Sequence, residues 1–220
     1  MLISGVDEAG RGSVIGPLVI GGVSIDENDL PKLVDLGVKD SKLLSPKRRE
    51  TLASQIRKVA LNCYIVWLSP AEIDRVVESK RRLHKLNRLE AKAMARVISV
   101  LKPDIVYVDA SDILPDRFRE HIAENLSFNP EIICEHKADV KYPIVSAASI
   151  MAKVERDKVI SQLQNKYGNI GCGYPTDSNT IKFLEGWIRN FGVYPNFVRK
   201  SWKTAKRVKI AANSKQKKLQ

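Results

Sequence analysis

The sequence has 220 residues, of which 44% are hydrophobic and 28% are charged. These fractions are typical of a globular protein and exclude a disordered or fibrous chain. No stretch approaches the roughly 20 apolar residues that span a bilayer, and no secretory signal begins the chain, so we expect a cytoplasmic protein. The 37 Lys and Arg residues outnumber the 25 Asp and Glu residues, giving a formal net charge of +12. That excess favours a polyanionic partner, most often nucleic acid, over a merely solvated basic surface.

A glycine-rich turn joins the first two predicted strands. Residues 1–6 form a short apolar run, and residues 13–25 are mostly apolar and β-branched with glycines among them. Glycines inside a strand often mark places where another backbone approaches closely. The segment between the strands, Gly10–Gly12, predicts a tight turn, since glycine adopts backbone conformations that other residues disfavour.

Two helices with clear start signals follow, with a third strand between them. Ser45 supplies an N-cap, and Pro46 occupies the first helical position. Residues 69–72 (Ser-Pro-Ala-Glu) form a capping box, in which serine and glutamate each bind the other's backbone N–H. Residues 63–68 are rich in β-branched and aromatic side chains and are too few for a helix, which predicts a strand.

Strands and helices alternate through most of the remaining chain. The predicted elements are a helix over 83–101, a strand over 105–108, a helix over 115–126, a strand over 131–135 and a helix over 144–166. The last 25 residues hold nine Lys or Arg residues and no acid, which predicts a basic, partly helical tail. This order predicts an α/β fold, a mixed five-stranded sheet flanked by helices. We expect a catalytic domain over 1–195 and a small helical C-terminal extension over 196–220.

Four acidic residues follow predicted strands. Asp7 and Glu8 come directly after the first strand. Asp109 ends the fourth strand, and Asp139 follows the last. Sheets of this kind gather functional groups at the carboxyl ends of their strands, near the point where the strand order reverses. Adjacent buried carboxylates are costly unless a cation neutralises them, and their oxygens suit Mg²⁺ or Mn²⁺ better than zinc, so the pattern predicts a divalent-metal site.

Each of these acids taken alone has a simpler explanation, because Asp and Glu often cap helices and bind amides in turns. Gly10–Gly12 is not a dinucleotide fingerprint, since β-branched residues rather than a helix follow it, and no Walker loop is present. The three histidines are scattered, and no cysteine has an evident base. Metal-free acid–base catalysis and covalent catalysis are therefore not favoured.

Six segments, in order, resemble the type 2 ribonuclease H family in its archaeal or eukaryotic-like form, across about residues 1–205. They are Asp7–Gly12, Asp40–Ser45, Val108–Ala110, Lys137–Asp139, Val145–Val154 and Gly173–Asp177. The arginine between two glycines, and the short stretch before the first acid, favour type 2 over the related type 3. Type 3 looks to have a lysine there and an additional N-terminal domain. The resemblance implies the ribonuclease H-like form of the α/β fold.

The resemblance implies an endonuclease that hydrolyses the ribonucleotide-containing strand of RNA–DNA hybrids and of DNA with embedded ribonucleotides. Cleavage would fall 5′ to the ribonucleotide and leave 3′-hydroxyl and 5′-phosphate ends. Two divalent cations, Mg²⁺ or Mn²⁺, would be the cofactors, since paired ions can clamp the attacking water and the departing oxygen. The implied catalytic residues and metal ligands are Asp7, Glu8, Asp109 and Asp139. Asp7 would bridge the ions, and Asp139 would support the second one.

The same resemblance implies five substrate-binding residues, which are Gly10, Arg11, Gly12, Lys42 and Tyr174. The backbone of the glycine turn would contact the ribose 2′-hydroxyl, the group that distinguishes RNA from DNA. Tyr174 would stack on the sugar of the neighbouring deoxynucleotide, and Lys42 and Arg11 would contact phosphates. A turn tyrosine and a solvated loop lysine stay open as simpler interpretations of Tyr174 and Lys42.

The expected partners are RNA–DNA hybrid duplexes and DNA that contains ribonucleotides. We expect a monomer, because no heptad repeat is present. Some archaeal relatives have a sliding-clamp peptide, a glutamine followed by an aliphatic and two aromatic residues. Residues 216–220 (Gln-Lys-Lys-Leu-Gln) lack the aromatic pair, which disfavours clamp binding. Two other functions stay open, a non-catalytic nucleic-acid-binding module and another metal nuclease, such as a resolvase or a DNA-only nuclease.

Overall fold

The computed structural model describes residues 1–38, 44–80 and 83–217. Lys42 and most of the segment Asp40–Ser45, both singled out in the sequence, lie outside the described residues. Within the described ranges, no helix combines the length and the apolarity needed to cross a membrane.

The described residues form one mixed sheet of five strands, as predicted. The strands are β1 (Leu2–Ala9), β2 (Leu18–Asp26), β3 (Asn62–Leu68), β4 (Ile105–Asp109) and β5 (Glu131–Glu135), in the spatial order β3-β2-β1-β4-β5. β1 pairs antiparallel with β2 and parallel with β4, and β4 pairs parallel with β5. The central strand is β1, so its residues have a neighbouring strand on each side.

Helices account for most of the remaining described chain, and the α/β class with helices flanking a mixed sheet is confirmed. They are α1 (Leu30–Asp35), α2 (Pro46–Val59), α3 (Pro70–Val77), α4 (Lys85–Leu101), α5 (Pro115–Ala123), α6 (Ala138–Lys141), α7 (Pro143–Tyr167), α8 (Ser178–Phe191) and α9 (Lys203–Lys217). The predicted start signals are present. The Ser45 hydroxyl accepts a hydrogen bond from the Arg48 N–H, and Ser69 and Glu72 form the reciprocal capping box.

The first strand is longer than predicted and includes the two acids that were expected to follow it. β1 continues through Asp7 and Glu8, which pair with Gly21 and Ile20 of β2. Asp7 and Glu8 are adjacent strand residues, so their side chains start from opposite faces of the sheet. Two carboxylates therefore enter the interior from a central strand, where regular pairing fixes their backbone.

The second strand is shorter than predicted, because the backbone of residues 13–17 bonds elsewhere. The N–H groups of Val14 and Ile15 both donate to the Gly173 carbonyl, at 2.8 and 3.1 Å. Ile15 also forms an isolated bridge with Val198. These residues belong to a loop, and pairing with β1 begins only after it.

Three helices, α1, α6 and α8, were not predicted. α8 begins after Asp177, whose side chain accepts a hydrogen bond from the Asn179 N–H, and it ends at Gly192 with a φ of 71°. An N-cap aspartate and a terminal glycine are ordinary helix signals, so these were available in the sequence. α6 has only four residues, too few to show a hydrophobic period.

Contacts divide the chain into two units. Unit 1 comprises Met1–Ala9, Val19–Trp67 and Arg82–Glu155, and unit 2 comprises Gly10–Leu18, Leu68–Arg81 and Arg156–Gln220. Unit 1 has an aliphatic core that includes Val23, Ile56 and Met151. Unit 2 has a more aromatic core, in which Phe197 lies 4.7 Å from Tyr167, measured between ring centroids. The predicted boundary between 1–195 and 196–220 stays a prediction.

Two strand glycines of unit 1 let α7 pack directly against the sheet. A Cβ atom on Gly5 would clash with the Ile144 carbonyl and lie 2.6 Å from the Val145 nitrogen. A Cβ atom on Gly21 would lie 2.7 Å from the Ala148 carbonyl oxygen. Contacts this short with backbone atoms cannot be relieved by a rotamer change, so the helix approaches the sheet at a distance that only glycine permits.

Replacing Gly5 or Gly21 with alanine is expected to destabilise the protein by about 1–3 kcal/mol, the usual cost of overpacking. Urea unfolding curves of the variants would measure this loss. Gly186 in α8 is the matched control, since within the described ranges no atom beyond its chain neighbours and its own helix backbone lies within 4 Å of its Cβ position. Gly186→Ala is expected to raise the free energy of unfolding by up to about 1 kcal/mol, as alanine does inside helices. Equal effects at Gly5 and Gly186 would contradict the close packing.

Candidate active site

Three carboxylates from two neighbouring strands meet in unit 1. Asp7 and Glu8 lie on β1, and Asp109 is the last residue of β4. Each offers a carboxylate oxygen, and the three oxygens lie within 4.8 Å of one another. Because β1 and β4 are parallel with Val6 opposite Val108, the next residue of each strand lies at the same edge. The structure therefore brings three of the four predicted acids together.

Asp139 lies in α6, directly after a residue that holds Asp109 in place. The Ala138 N–H donates to Oδ1 of Asp109 at 2.8 Å. Asp139 is 3% exposed, and its carbonyl oxygen accepts a hydrogen bond from the Ser146 hydroxyl. The carboxylate of Asp139 does not belong to the compact cluster found among the described residues. Its role as a metal ligand stays a prediction.

Burial and mutual repulsion raise the pKa of both β1 acids. Burial, followed by the charge of Glu8, raises the pKa of Asp7 well above its ordinary value of 3.8. Burial raises the pKa of Glu8 from 4.5 to about 7, and the charges of Glu90 and Asp109 add to the shift. Without a cation, Glu8 therefore resists full ionisation at neutral pH.

Two side chains of α7 act in the opposite direction and hold Asp7. A hydrogen bond from Ser149 and the positive charge of Lys153 both lower the Asp7 pKa, although less than burial raises it. The Lys153 ammonium in turn donates to the Ser149 hydroxyl oxygen at 3.0 Å. The Glu8 N–H donates to Oδ1 of Asp7 at 2.7 Å. These contacts favour the ionised form of Asp7 and limit its rotation.

The three-carboxylate cluster fits a divalent cation. Oε2 of Glu8 is buried and has no hydrogen-bond partner within the described part of the chain. A buried carboxylate oxygen without a donor is costly, and a cation would satisfy it. Converging carboxylates also form the all-oxygen ligand set that Mg²⁺ and Mn²⁺ prefer. Asp7, Glu8 and Asp109 are thus the residues that would hold such an ion.

The sequence patterns did not point to Glu90, which influences this site. Glu90 lies on α4 and is fully buried. After burial, its charge is the largest contribution to the raised pKa of Glu8. Its neighbours Ala91 and Met94 are buried as well. The sequence did contain a signal for Glu90, because it places a glutamate on the apolar face of a helix. A glutamate is rarely buried without a partner, so this position is unusual.

Unit 2 contains the predicted ribose-binding turn. Gly10 has a φ of 85°, and a Cβ atom there would lie 2.8 Å from the Pro17 carbonyl oxygen. The Ser13 hydroxyl and N–H both donate to the Gly10 carbonyl, at 2.8 and 3.2 Å. Gly12 is exposed, and a Cβ atom on it would lie 4.0 Å from the Tyr174 ring. Four of the five predicted substrate-binding residues are therefore neighbours, and Lys42 lies outside the described residues.

Arg156 fixes the position of Tyr174, a contact the sequence did not predict. Its guanidinium carbon lies 4.5 Å from the centroid of the Tyr174 ring, a cation–π arrangement. Nη2 of Arg156 donates to the Cys172 carbonyl, and only 5% of the residue is exposed. The tyrosine ring is thus supported from one side by a buried cation.

Comparisons with known proteins give matches to one family that cover nearly the whole chain. The sequence pattern of the family described as Ribonuclease HII matches residues 4–205. Ribonuclease HII of Thermococcus sibiricus is 50% identical over 210 residues, 94% of this chain and 91% of that protein. The crystal structure of ribonuclease H2 from Pyrococcus horikoshii OT3 has a TM-score of 0.88 and 44% identity, covering 97% of this chain and 99% of that one. A chain in the PCNA:RNase HII complex from Archaeoglobus fulgidus has a TM-score of 0.84 and 42% identity, covering 94% and 96%.

The mixed sheet, with acids at the end of adjacent parallel strands, places the protein in the ribonuclease H-like class of metal-dependent hydrolases. The matches are more specific, and this chain belongs to the ribonuclease HII family. It is therefore a type 2 ribonuclease H, an endonuclease of RNA–DNA hybrids. The predicted family, fold class and enzyme class are confirmed.

The raised pKa of Glu8 gives the metal-free protein a defined pH dependence. A group with a higher pKa when folded than when unfolded binds more protons in the folded state, so stability falls as pH rises between the two values. In EDTA, the free energy of unfolding is expected to fall by on the order of 3 kcal/mol between the ordinary value of 4.5 and about 7. Adding Mn²⁺ or Mg²⁺ is expected to restore the lost stability. Denaturant titrations across this range would measure both effects.

The control variant for this pH dependence is Glu8→Gln, which removes the charge and nearly preserves the shape. In this variant, the free energy of unfolding is expected to change little with pH, and Mn²⁺ is expected to bind more weakly. A stability that is flat or rises with pH in the unsubstituted protein, in EDTA, would contradict the predicted ionisation of Glu8.

Proposed function

We propose that this enzyme cleaves both long RNA–DNA hybrids and single ribonucleotides embedded in duplex DNA. Cleavage falls on the 5′ side of the ribonucleotide and leaves 3′-hydroxyl and 5′-phosphate ends. The main supporting observation is the cluster of three carboxylates, one buried and two partly buried, whose oxygens lie within 4.8 Å of one another, in a chain of the ribonuclease HII family. A non-catalytic binding module would have no reason to bear the cost of burying these groups together.

The carboxylates act as metal ligands in this proposal. Two divalent cations, when bound, activate the attacking water and stabilise the departing oxygen. Asp7 would contact both ions, Glu8 and Asp109 would complete one site, and Asp139 would support the other. Ser149 and Ala138 contribute by orientation, because they donate hydrogen bonds to Asp7 and Asp109. Mg²⁺ and Mn²⁺ both suit these ligands.

The backbone of Gly10–Gly12 contacts the ribose 2′-hydroxyl in this proposal. The exposed position of Gly12, which has no side chain, supports close approach by a sugar. Arg11 contacts a phosphate, and Tyr174 stacks on the adjoining deoxyribose. The cation–π contact with Arg156 supports this role, since a ring held in place loses less entropy on binding. Lys42 is proposed as a further phosphate contact.

The remaining proposals concern partners and location. The net charge of +12 supports duplex binding through phosphates, and we propose a monomer that works in the cytoplasm. The Archaeoglobus fulgidus relative is in a complex with PCNA. In this chain residues 216–220 lack an aromatic pair. The expectation that this segment does not bind a sliding clamp stays a prediction.

Asp7→Asn is expected to reduce cleavage of a duplex with one embedded ribonucleotide by at least about 100-fold, because an amide binds a divalent cation poorly. Duplex affinity is expected to persist, since phosphate contacts depend on Lys and Arg. Gel analysis of nicking with Mg²⁺, Mn²⁺ or EDTA, with an all-DNA duplex beside it, measures both turnover and specificity.

The matched control for Asp7→Asn is Asp116→Asn, whose side chain is 87% exposed and which is expected to keep full activity. Equal nicking of the all-DNA duplex would favour a DNA nuclease. Cleavage in EDTA, or an active Asp7→Asn variant, would remove Asp7 from the metal site.

Tyr174→Ala is expected to lower kcat/KM at a single ribonucleotide about tenfold more than kcat/KM on a long hybrid. A tenfold effect is the size expected for the loss of one stacking contact. Tyr174→Phe keeps the ring and is expected to retain the preference. The ratio of kcat/KM values on the two substrates is the measurement. A uniform loss on both would show that Tyr174 does not sense the junction.

A further inference from the structure

Arg199 is a fully buried arginine that binds three carbonyl oxygens of one loop. Its exposed fraction is 0%. Nη2 donates to the Gly10 carbonyl at 2.7 Å, and Nη1 donates to the Arg11 carbonyl at 2.8 Å. Nε donates to the Gly16 carbonyl at 3.1 Å. Burying a guanidinium is costly, so the carbonyls that bind it must lie in closely defined positions.

These hydrogen bonds determine the direction of the N–H groups in the turn. The peptides of this loop are trans. In a trans peptide, the carbonyl oxygen and the following N–H point in opposite directions. Since the Gly10 and Arg11 carbonyls point toward the buried guanidinium, the N–H groups of Arg11 and Gly12 point away from it. Gly12 is exposed, so the second of these donors lies at the surface of unit 2.

Arg199 is itself held firmly within unit 2. Its N–H donates to the Val14 carbonyl at 2.9 Å, which extends the contact with the loop. Its guanidinium carbon lies 4.9 Å from the centroid of the Trp202 ring. The Asp74 carboxylate accepts hydrogen bonds from the N–H groups of Lys200 and Ser201, at 2.8 and 3.0 Å. The residues that follow Arg199 thus anchor this segment to α3.

We propose that Arg199 is a positioning residue for ribose recognition, which aims the N–H group of Gly12 at the 2′-oxygen of the ribonucleotide. The inference rests on the proposed role of the glycine turn. A 2′-oxygen accepts hydrogen bonds, whereas deoxyribose has no oxygen there, so a fixed donor distinguishes the sugars. Preorganised donors are more effective than mobile ones, because no ordering cost is paid on binding.

The test compares the affinity of catalytically inactive enzyme for two duplexes of one sequence, with and without a single ribonucleotide. All proteins have the Asp7→Asn background, so cleavage does not interfere. Arg199→Lys keeps the positive charge but cannot reach three carbonyls. We expect it to lower the affinity ratio between the two duplexes by about tenfold, the cost of one charged hydrogen bond. Affinity for the all-DNA duplex is expected to be unchanged, and Arg189→Lys, an exposed site of unit 2, is the matched control.

If Arg199 has a merely structural role, Arg199→Lys would lower the affinity for both duplexes equally, and this result would overturn the inference. An unchanged ratio of the two affinities would also overturn it. If the parent protein does not distinguish the duplexes at all, the proposed role of the turn fails instead. A second measurement decides the case in which Arg199→Lys does not fold. In the parent protein, the NMR resonance of the Arg199 Nε–H is expected to shift with the ribonucleotide duplex and not with the all-DNA duplex. An equal response to both would overturn the inference.

Discussion

Repulsion among Asp7, Glu8 and Asp109 is the constraint to which much of unit 1 responds. Their oxygens lie within 4.8 Å of one another in a largely buried place. The register of the sheet places Gly21 opposite Asp7, and the absence of a side chain at Gly21 lets α7 lie directly on the sheet. That approach brings Lys153, a compensating positive charge, near Asp7. A glycine in one strand thus helps to determine the electrostatics of an acid in the next.

Unit 2 has a different structural requirement, which is to hold an irregular loop in one conformation. Regular pairing does not extend to residues 13–17, and two buried arginines take its place. Arg199 holds the carbonyls of the turn, and Arg156 holds Tyr174. An arginine suits this use because its planar fork offers five donors in fixed directions. The loop therefore has a defined shape without belonging to a helix or a sheet.

The sequence predicted the parts of the site that depend on strand order. Asp109 lies near Asp7 because parallel strands present their carboxyl ends at one edge, and the apolar runs before both acids were clear. The close approach at Gly21 also agrees with the expectation for strand glycines. Glu90 and Arg199 were not predicted, because a charged residue is counted as surface in a periodic pattern. Their burial depends on contacts between segments that are distant along the chain.

The contact between Arg199 and the turn has a consequence for how the protein is made. The guanidinium and the carbonyls it binds are separated by 183 to 189 positions along the chain. During synthesis from the N-terminus, the glycine turn leaves the ribosome long before its arginine does. The turn therefore remains unfinished until translation is nearly complete. A truncated product that ended before this arginine would still contain every acid of the cluster, but it would lack the side chain that holds the carbonyls of the turn.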